Sequence, residues 1–600
     1  MSKPPTSRIA ALLWRMVAYA PRLYLLDTLL WIFIAGLPAI PGLLIREFFN
    51  ALTTPSSVRL SPQVLIALLL ATGLARIVVI FGGRFTKTQH RFTMSALIRR
   101  NLLERLLHRP GALPLRSATG DSVSGGAILS FFREDAQQLE DNAVGTNELL
   151  GEGMFALASL ALLVHINARI TLLVFLPLML IAGLIQRLTQ RIKRYRRNQR
   201  QATQAVTGWL GEMFGAVQVI QVEGAEVQVI QHLQQLCDRR EQAAIRDRML
   251  TQLLESSFSN LVSLGTGGIL LVSVESMQQQ TLSVGDFALF VYYLAYVTYF
   301  LGFFGDFLTL TKQSEVSFER MEQLLDCTAT DLVAHRPLYL PPLLGGVSPL
   351  PPVHDRPERV PLQTFSATGL TYHYPGSCSG IRNISLRIER GTLTVITGAV
   401  GSGKTTLLRS LLGLLPLEAG DLAWNDRHLN RPAQFLVPPQ VAYTPQVPHL
   451  LSCSLRENLL LGQAASEADL EAAIALAALE TDLAQFPLGL DMPIGVNGMR
   501  LSGGQVQRAA AARMLIRQSE LLVFDDLSSA LDLDTEQRLW SRLFNAQGEQ
   551  TYLVVSHRPQ IWQRADQILV LDQGQIAFLG PLQALPESHR EFLEARHPAP

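Results

Sequence analysis

The chain has 600 residues, of which 48% are hydrophobic and only 17% are charged, and its mean hydropathy is +0.21. This composition excludes an intrinsically disordered protein and one that coats nucleic acid, so no nucleic-acid partner is expected. The net charge of +1 hides an asymmetry, because residues 1–326 hold 30 Lys and Arg against 24 Asp and Glu while the remainder holds 21 against 26.

Six apolar stretches in the first half are each close to the ~20 residues that a helix needs to cross the hydrocarbon core of a bilayer. They cover about 23–44, 62–83, 149–167, 170–188, 256–274 and 285–308. Serine and threonine residues dilute the fifth, for which a buried soluble helix is an alternative. The pattern predicts an all-α, six-helix transmembrane domain over 23–326, after an N-terminal segment of residues 1–22.

Lys and Arg residues give the expected orientation, since they concentrate in cytoplasmic loops. They are frequent in residues 1–22 and after the second and fourth apolar stretches, and absent from residues 274–283. Both termini are therefore predicted to be cytoplasmic. The two long connections between spans have helical periodicity, for example over 96–107 and 225–253, which favours helical extensions of the spans over ordinary surface loops.

The pattern changes after residue 326. Eight prolines between Pro337 and Pro361 rule out a single helix and predict a linker over 327–364. From residue 365 to 600, short strand-like runs alternate with helical ones, which predicts an α/β domain. The four cysteines, Cys237, Cys327, Cys378 and Cys453, have neither zinc-ligand nor disulfide-framework spacing, so a reducing compartment is expected for the domains that hold them.

A glycine-rich turn follows the predicted strand 393–397 and opens a helical run, which is the context of a P-loop that binds nucleotide phosphates. Lys404 is expected to reach the β- and γ-phosphates, and Thr405 to give its hydroxyl oxygen to Mg²⁺. The candidate ATP-binding residues of this turn are Gly398, Ala399, Val400, Gly401, Ser402, Gly403, Lys404, Thr405 and Thr406.

A second predicted strand, 521–525, ends in Asp525, a carboxylate placed to hold hydrated Mg²⁺. Between the two elements, a short polar segment precedes the helical run 506–516 and offers another helix N-terminus to a phosphate. That segment consists of Leu501, Ser502, Gly503, Gly504 and Gln505.

With these motifs the chain resembles the ATP-binding cassette (ABC) transporters, in particular half-transporters that join six spans to one nucleotide-binding domain. The resemblance covers roughly residues 20–590. It implies ATP and Mg²⁺ as cofactors, a second half-transporter as partner, and a site that one cassette cannot complete. The segment Leu501–Gln505 resembles the family signature, which covers the γ-phosphate held by the partner's P-loop.

The resemblance also assigns roles to single residues. Tyr374 resembles the aromatic side chain that stacks on adenine, with Tyr372 as a lesser candidate. Gln446 resembles the glutamine that touches Mg²⁺ or its water, and His557 the histidine that contacts the γ-phosphate. Ser529, Ala530, Leu531 and Asp532 resemble the D-loop that links two sites. Residues 212–226 resemble the stretch after the second coupling helix, and residues 113–125 are expected to hold the first.

One departure from the family pattern concerns catalysis. Asp526 stands where the family usually has Glu, the residue that polarises the attacking water, and a carboxylate displaced by ~1 Å can lower a rate on the order of 10²-fold. Two hypotheses follow: a heterodimer in which this chain holds the weak site, or a homodimer whose geometry accommodates Asp. A regulatory or channel-like subunit is a further alternative. Residues 494–498 also lack the Glu-Arg pair common in exporters. The sequence therefore supports transport more strongly than it supports export as its direction.

The spans offer candidate substrate contacts. An aromatic stripe on the sixth span, with an acidic residue beside its end, either packs against other spans or lines a cavity for a bulky amphipathic compound such as a peptide, lipid or natural product. Export is favoured, with import by an exporter-like architecture as the alternative. The cavity candidates are Arg76, Tyr292, Tyr296, Tyr299, Phe303 and Asp306. Arg76, Asp27 and Asp306 are ionisable residues inside predicted spans, and such residues either face a water-filled cavity or pair with each other. The expected location is a bacterial inner or plasma membrane, with the ATP-binding domain in the cytoplasm.

Overall fold

The structure is a computed structural model. It describes residues 5–53, 60–113, 115, 125–279, 281–340, 358–495, 498, 500–527, 530–545 and 550–587. Contacts divide the chain into two units, the first comprising Met1–Leu106 and Leu115–Pro349, and the second Leu107–Pro114 and Leu350–Pro600. The helical first half and the α/β second half that the sequence predicts are both observed.

The first unit is built from helices. Its described helices are α1 (Pro5–Val17), α2 (Pro21–Gly36), α3 (Ala39–Thr53), α4 (Pro62–His108), α5 (Gly125–Ser130), α6 (Ala136–Gly215), α7 (Val217–Val222), α8 (Glu226–Gln278), α9 (Val284–Leu325) and α10 (Ala329–Leu332). One turn of π-helix, Phe131–Asp135, joins α5 to α6. Helices of more than 40 residues exceed the thickness of a bilayer at about 1.5 Å per residue, so they extend beyond any span that they contain.

Four helical segments in the described part of the chain are long and apolar enough to cross a membrane. They are Pro21–Thr53, Pro62–His108, Ile128–Pro177 and Val284–Leu325. These segments contain the first, second, third and sixth predicted spans. The fourth and fifth predicted spans fall on parts of α6 and α8 whose side chains are only partly described, and they stay predictions.

The long helix α6 is divided at Asn167, whose φ of −153° and ψ of 99° are not helical. The Asn167 side-chain oxygen accepts a hydrogen bond from the backbone nitrogen of Ile170 at 3.0 Å. This is the bond of a helix N-cap, which satisfies one of the free donors at the start of a helix. A new helical segment therefore begins here, between the third and fourth predicted spans.

The second unit contains two sheets. A four-stranded antiparallel sheet has the order β2-β1-β4-β5, and a six-stranded mixed sheet has the order β10-β9-β3-β8-β7-β6. The strands are β1 (Thr364–His373), β2 (Gly380–Glu389), β3 (Leu393–Gly398), β4 (Ala419–Trp424), β5 (Arg427–His428), β6 (Val441–Thr444), β7 (Leu521–Asp525), β8 (Thr551–Val555), β9 (Gln567–Asp572) and β10 (Gln575–Gly580).

Helices cover the sheets of the second unit. They are α11 (Lys404–Leu411), α12 (Pro432–Phe435), α13 (Leu455–Leu460), α14 (Glu467–Leu476), α15 (Glu480–Leu483), α16 (Gly503–Leu515), α17 (Leu533–Asn545) and α18 (Pro559–Trp562). All residues of β7 and β8 are buried, as expected for parallel strands covered on both faces.

The sheet order determines where the functional residues lie. Strands β3, β8, β7 and β6 pair in parallel, so their carboxyl ends meet at one edge of the sheet. The glycine-rich turn follows β3, Asp525 ends β7, and Gln446 and His557 come shortly after β6 and β8. Ligands of open α/β sheets bind outside the carboxyl ends of the strands. The motifs scattered through the sequence therefore converge at this edge.

Candidate active site

The turn between β3 and α11 places backbone and side-chain donors around one concave surface. Gly398 has a φ of 142°, and a Cβ there would collide with the carbonyl oxygen of Leu571, so only glycine fits. The Lys404 Nζ donates to the carbonyl oxygens of Gly398 (3.0 Å) and Ala399 (2.8 Å). Burial lowers the pKa of Lys404, while Asp526 and Asp525 act in the opposite direction.

Asp525 is almost completely buried at the end of β7. Its Oδ1 accepts a hydrogen bond from Thr405 Oγ1 at 3.2 Å, and its Oδ2 accepts one from the Tyr443 hydroxyl at 3.3 Å. Burial raises the pKa of Asp525, although the bonds from Thr405 and Tyr443 lower it in part. The sequence reasoning missed Tyr443, whose only signal is its position on β6, the neighbour of β7.

Asp526 lies directly after the strand, with a left-handed backbone (φ 51°) that turns its side chain out of the ladder. Its Oδ2 accepts a hydrogen bond from Gln446 Nε2 at 3.2 Å. Aspartate is one of the few residues besides glycine that adopt this left-handed conformation readily. The structure thus brings Asp526 and Gln446 together, although 80 residues separate them in the chain.

A pocket of about 630 Å³ is lined by residues from every one of these motifs. They include Val400, Gly401, Gly403, Lys404, Thr405, Thr406, Tyr374, Gln446, Asp525, Asp526 and His557. The Tyr374 hydroxyl lies 3.3 Å from Thr406 Oγ1, which anchors the ring at the pocket wall. Tyr372, the lesser candidate, is instead buried in the core. The pocket has further lining residues that the sequence reasoning missed, for which a motif gave no signal: Cys378, Arg382, Gln573 and Gly574.

The oxygen atoms at the floor of the pocket are suitable ligands for Mg²⁺. Thr405 and Asp525 present hydroxyl and carboxylate oxygens, and Gln446 is close enough to bond to the adjacent Asp526. Hard oxygen donors of this kind are the ligands that Mg²⁺ prefers, usually with phosphate oxygens and water completing the shell. In the described residues, no cluster of three or more His, Cys, Asp or Glu side chains could hold a metal by itself. A nucleotide would supply the remaining ligands.

Comparison with known proteins agrees with this geometry. Residues 381–529 match the family described as "ABC transporter", and residues 28–301 match the "ABC transporter transmembrane region". The chain belongs to the ABC transporters. Its transmembrane region and ATP-binding domain are fused in one polypeptide, and the fold is that of an exporter-type half-transporter.

Relatives of this ABC transporter include proteins named "ATP-dependent lipid A-core flippase". The one from Cupriavidus metallidurans is 26% identical over 89% of this chain and 84% of its own length. The one from Burkholderia pseudomallei is 26% identical over 93% of this chain and 88% of its own. A solved structure of a bacterial Atm1-family ABC exporter with ATP bound superposes with a TM-score of 0.74 over 97% of this chain and 99% of its own, at 20% identity, which shows the shared fold.

The ABC transporter's signature segment forms the start of α16. Ser502 caps this helix, since its hydroxyl accepts from Gln505 N at 3.3 Å while Gln505 Oε1 accepts from Ser502 N at 2.9 Å. Gln505 Nε2 donates to Asp482 at 2.9 Å, and Arg508 pairs with the same carboxylate at 2.9 Å. Ser502 and Gly503 are exposed, and the lining of the 630 Å³ pocket draws nothing from the described signature residues.

The ABC transporter's D-loop lies against the signature helix. Ser529 lies outside the described residues, whereas the Ala530 backbone nitrogen donates to Gln507 Oε1 at 3.1 Å. Leu531 lies beside Gly504, and the Asp532 Oδ1 accepts from Thr535 N at 2.9 Å, which caps α17. Hydrogen bonds from Thr535 lower the pKa of Asp532.

In the transmembrane region of the ABC transporter, the aromatic stripe divides into packed and open parts. The Tyr292 and Tyr296 hydroxyls lie 3.4 Å apart, and the Phe155 ring packs edge-on against Tyr296. Tyr299 and Asp306 are exposed, and Phe303 is partly buried.

Arg76 has electrostatic neighbours in Glu152 and Tyr292. Among the described residues its Nε has no hydrogen-bond partner. Asp27 bonds to Thr86 and Asn147. Glu152 was missed, and its only signal is a carboxylate inside an apolar run.

Proposed function

We propose that this ABC transporter is one half of a dimeric exporter that uses ATP hydrolysis to move a bulky amphipathic compound across the membrane. The observation that carries the proposal is the composition of the 630 Å³ pocket, which gathers the P-loop, both carboxylates, Gln446 and His557 but no described residue of this chain's own signature. A second chain supplies that missing wall. The dimer therefore contains two composite sites.

Each pocket residue has a role that follows from its chemistry. Tyr374 offers a π-face on which adenine stacks, and the P-loop amides at the start of α11 bind phosphate oxygens. Lys404 exchanges its bonds to Gly398 and Ala399 for bonds to the β- and γ-phosphates. Thr405, Asp525 and Gln446 would hold Mg²⁺, which would neutralise phosphate charge when ATP is bound.

Asp526 and His557 act at the γ-phosphate. Asp526 orients and polarises the attacking water, and His557 donates a hydrogen bond to the γ-phosphate. Because Gln446 already bonds to Asp526, the same amide can report on the occupancy of the site to the transmembrane region. The shorter reach of aspartate, compared with glutamate, places the carboxylate farther from the water, so hydrolysis at this site is slow.

ATPase activity of the singly expressed chain, reconstituted in lipid nanodiscs, tests this proposal. A homodimer that works with Asp526 shows Mg²⁺-dependent turnover that Lys404→Ala and Asp526→Asn each reduce by about 10²-fold or more. If the chain alone is nearly inactive and Asp526→Glu raises turnover, the weak-site subunit of a heterodimer is favoured. Turnover that survives Lys404→Ala would contradict the proposed ATP site altogether.

The cargo proposal rests on the transmembrane region and on the relatives named as lipid A-core flippases. Arg76 with an unpartnered Nε and the half-open stripe from Tyr292 to Phe303 together offer a cationic group beside aromatic surface. Such a surface suits an amphipathic molecule with an anionic head group and acyl chains.

A lipid-stimulation assay tests the cargo class. A lipid with a phosphorylated sugar head group should stimulate the ATPase activity more than a neutral lipid of equal chain length, and Tyr299→Ala and Arg76→Gln should weaken this stimulation. Leu271→Ala is the matched control, because Leu271 is an exposed apolar residue of α8 outside the stripe. Equal stimulation of all four proteins by both lipids would contradict this cargo assignment.

A further inference from the structure

A buried polar cluster joins α2, α4 and α6 in the first unit. Asp27 lies on α2, Thr86 and His90 on α4, and Asn147 on α6. The side chains of Asp27 and His90 are completely buried, and Asn147 is equally inaccessible. Burial of an acid and a base together, where α2, α4 and α6 meet, is costly unless the groups are paired or have a function.

Asp27 is held as an acceptor. Its Oδ1 accepts a hydrogen bond from Thr86 Oγ1 at 2.9 Å, and its Oδ2 accepts one from Asn147 Nδ2 at 2.6 Å. The Asn147 side-chain oxygen accepts from Thr28 Oγ1 at 2.9 Å, which orients the amide so that its NH₂ group points to Asp27. An ionised carboxylate only accepts hydrogen bonds, so this arrangement favours a negative Asp27.

The ring nitrogens of His90, in contrast, are buried without hydrogen bonds to the described residues. Within the described part of the chain, neither of its ring nitrogens has a hydrogen-bond partner, although both are buried. Its Nδ1 lies 3.7 Å from Asp27 Oδ2, and the Tyr24 ring packs edge-on against the imidazole. A neutral imidazole with its proton on Nδ1 directs that donor towards Asp27 and leaves Nε2 as an acceptor without a partner among the described residues. A protonated imidazole adds the attraction between its positive charge and the negative carboxylate.

The cluster lies where α2 packs closely against α6. A Cβ on Gly151 of α6 would lie 2.7 Å from the carbonyl oxygen of Trp31 on α2, and one on Gly83 of α4 would meet the side-chain tip of Ile34. The side chains of Asp27 and His90 have no exposed surface in this arrangement. Electrostatic interactions between buried groups are strong when water is excluded.

The surrounding charges are mostly engaged in pairs of their own. Lys87 pairs with Glu148, and Arg91 pairs with Glu140 and Asp141. Among the described residues, the charged groups around Lys87 and Asp27 include Arg84 and Arg91 from α4 and Asp141 from α6, while Glu148 and Glu140 are the partners of Lys87 and Arg91. Lys87 interacts with Asp27 as well, but its ion pair is with Glu148. His90 is the base nearest to Asp27 that has no other partner among the described residues.

We propose that His90 and Asp27 form a proton-binding site in the transmembrane region. A proton from water adds to a ring nitrogen of His90, and the positive charge is balanced by Asp27. The Nδ1–Oδ2 distance then closes from 3.7 Å towards the ~2.8 Å of a charge-assisted hydrogen bond. Closure draws α4 and α2 together, so proton occupancy stabilises one packing of the first two predicted spans.

The pH dependence of stability tests the site, with full-length protein in nanodiscs without nucleotide. Because the ion pair needs the protonated imidazole, its stabilising effect is present at low pH and is lost as the pH rises. His90→Gln should therefore lower the thermal midpoint more near pH 5 than near pH 8, the range in which histidine charge changes. His165→Gln is the control, since His165 is an exposed histidine of α6.

Two further results bear on the same site. In a double-mutant cycle, Asp27→Asn should remove the pH dependence of the His90→Gln effect. If His90→Gln does not yield folded protein, ¹⁵N-histidine NMR of the wild type and of Asp27→Asn replaces the cycle: the titration of one imidazole signal should shift to lower pH in the variant. An effect of His90→Gln that is equal at all pH values, or imidazole titrations that Asp27→Asn leaves unchanged, overturns the proposal.

Discussion

At the scale of single residues, Asp525 combines burial with function. The same burial that raises its pKa also places it where two neighbours, Thr405 and Tyr443, direct its oxygens. An acid whose pKa is raised on folding is ionised at neutral pH at a cost in folding free energy, and this cost disappears as the pH falls through the raised pKa. If Asp525 ligates Mg²⁺ as proposed, its carboxylate destabilises the cassette at neutral pH when Mg²⁺ and nucleotide are not bound.

Asp525→Asn separates these two effects. Without Mg²⁺ and nucleotide, the variant should unfold at a temperature roughly 2–4 °C higher than the wild type at neutral pH, and this difference should shrink as the pH falls. Adding Mg²⁺ and ATP should stabilise the wild type more than the variant. Thermal unfolding measured at several pH values checks both statements. A variant that is less stable than the wild type at every pH would show that Asp525 stabilises the fold instead.

The site residues that can be predicted from the sequence are those in motifs formed by contiguous residues. The P-loop needs one strand, one turn and one helix, all contiguous, and the structure has them at 393–411. Tyr443 could not be found because its contact with Asp525 crosses from β6 to β7. The neighbour of Arg76 could not be found for the same reason, since Arg76 is on α4 and Glu152 is on α6.

At the scale of elements, the signature helix and the D-loop pack closely. The two glycines of the signature differ in their surroundings: a Cβ on Gly504 would lie 3.0 Å from the Ala530 carbonyl oxygen and 3.3 Å from Leu531. A Cβ on Gly503 would have its nearest contact at 3.6 Å, an ordinary van der Waals distance. Gly504 is therefore tightly packed within the chain, whereas Gly503 has room for a side chain.

Gly504→Ala and Gly503→Ala test this difference as a matched pair. Gly504→Ala should destabilise the chain by about 1–3 kcal/mol, because the backbone of the D-loop must move, whereas Gly503→Ala should leave the free energy of unfolding nearly unchanged. Denaturant or thermal unfolding without nucleotide makes the comparison. Equal losses in the two variants would mean that the contact with Ala530 does not limit the packing.

Prediction of whole elements from the sequence was good where a single pattern extends over many residues. Long apolar runs indicate α2, α4 and α9, and the alternation of strands and helices indicates the α/β unit. The division of α6 at Asn167 depends on one cap bond that hydropathy does not record. Likewise, hydropathy places Asp27 in a span but does not reveal that it faces Thr86 and His90 on α4.

At the scale of the whole molecule, the chain is one half of the proposed dimeric transporter. The P-loop, the two carboxylates and His557 line one pocket. The exposed signature residues Ser502 and Gly503 are not among the described residues that line it. In the first unit, the short helix α7 presents an apolar surface, because Val219 and Val222 are exposed. We expect a second chain to cover this surface. Dimerisation thus accounts for both the incomplete site and the uncovered helix.

ATP hydrolysis by dimers of two differently tagged chains tests this claim most directly. With Lys404→Ala on one chain and Ser502→Ala on the other, both defects fall in the same composite site, so the second site should remain active. With both substitutions on one chain and a wild-type partner, each site carries one defect, so activity should be lost. The reverse pattern, activity only when one chain is fully wild type, would contradict a nucleotide site shared between two chains.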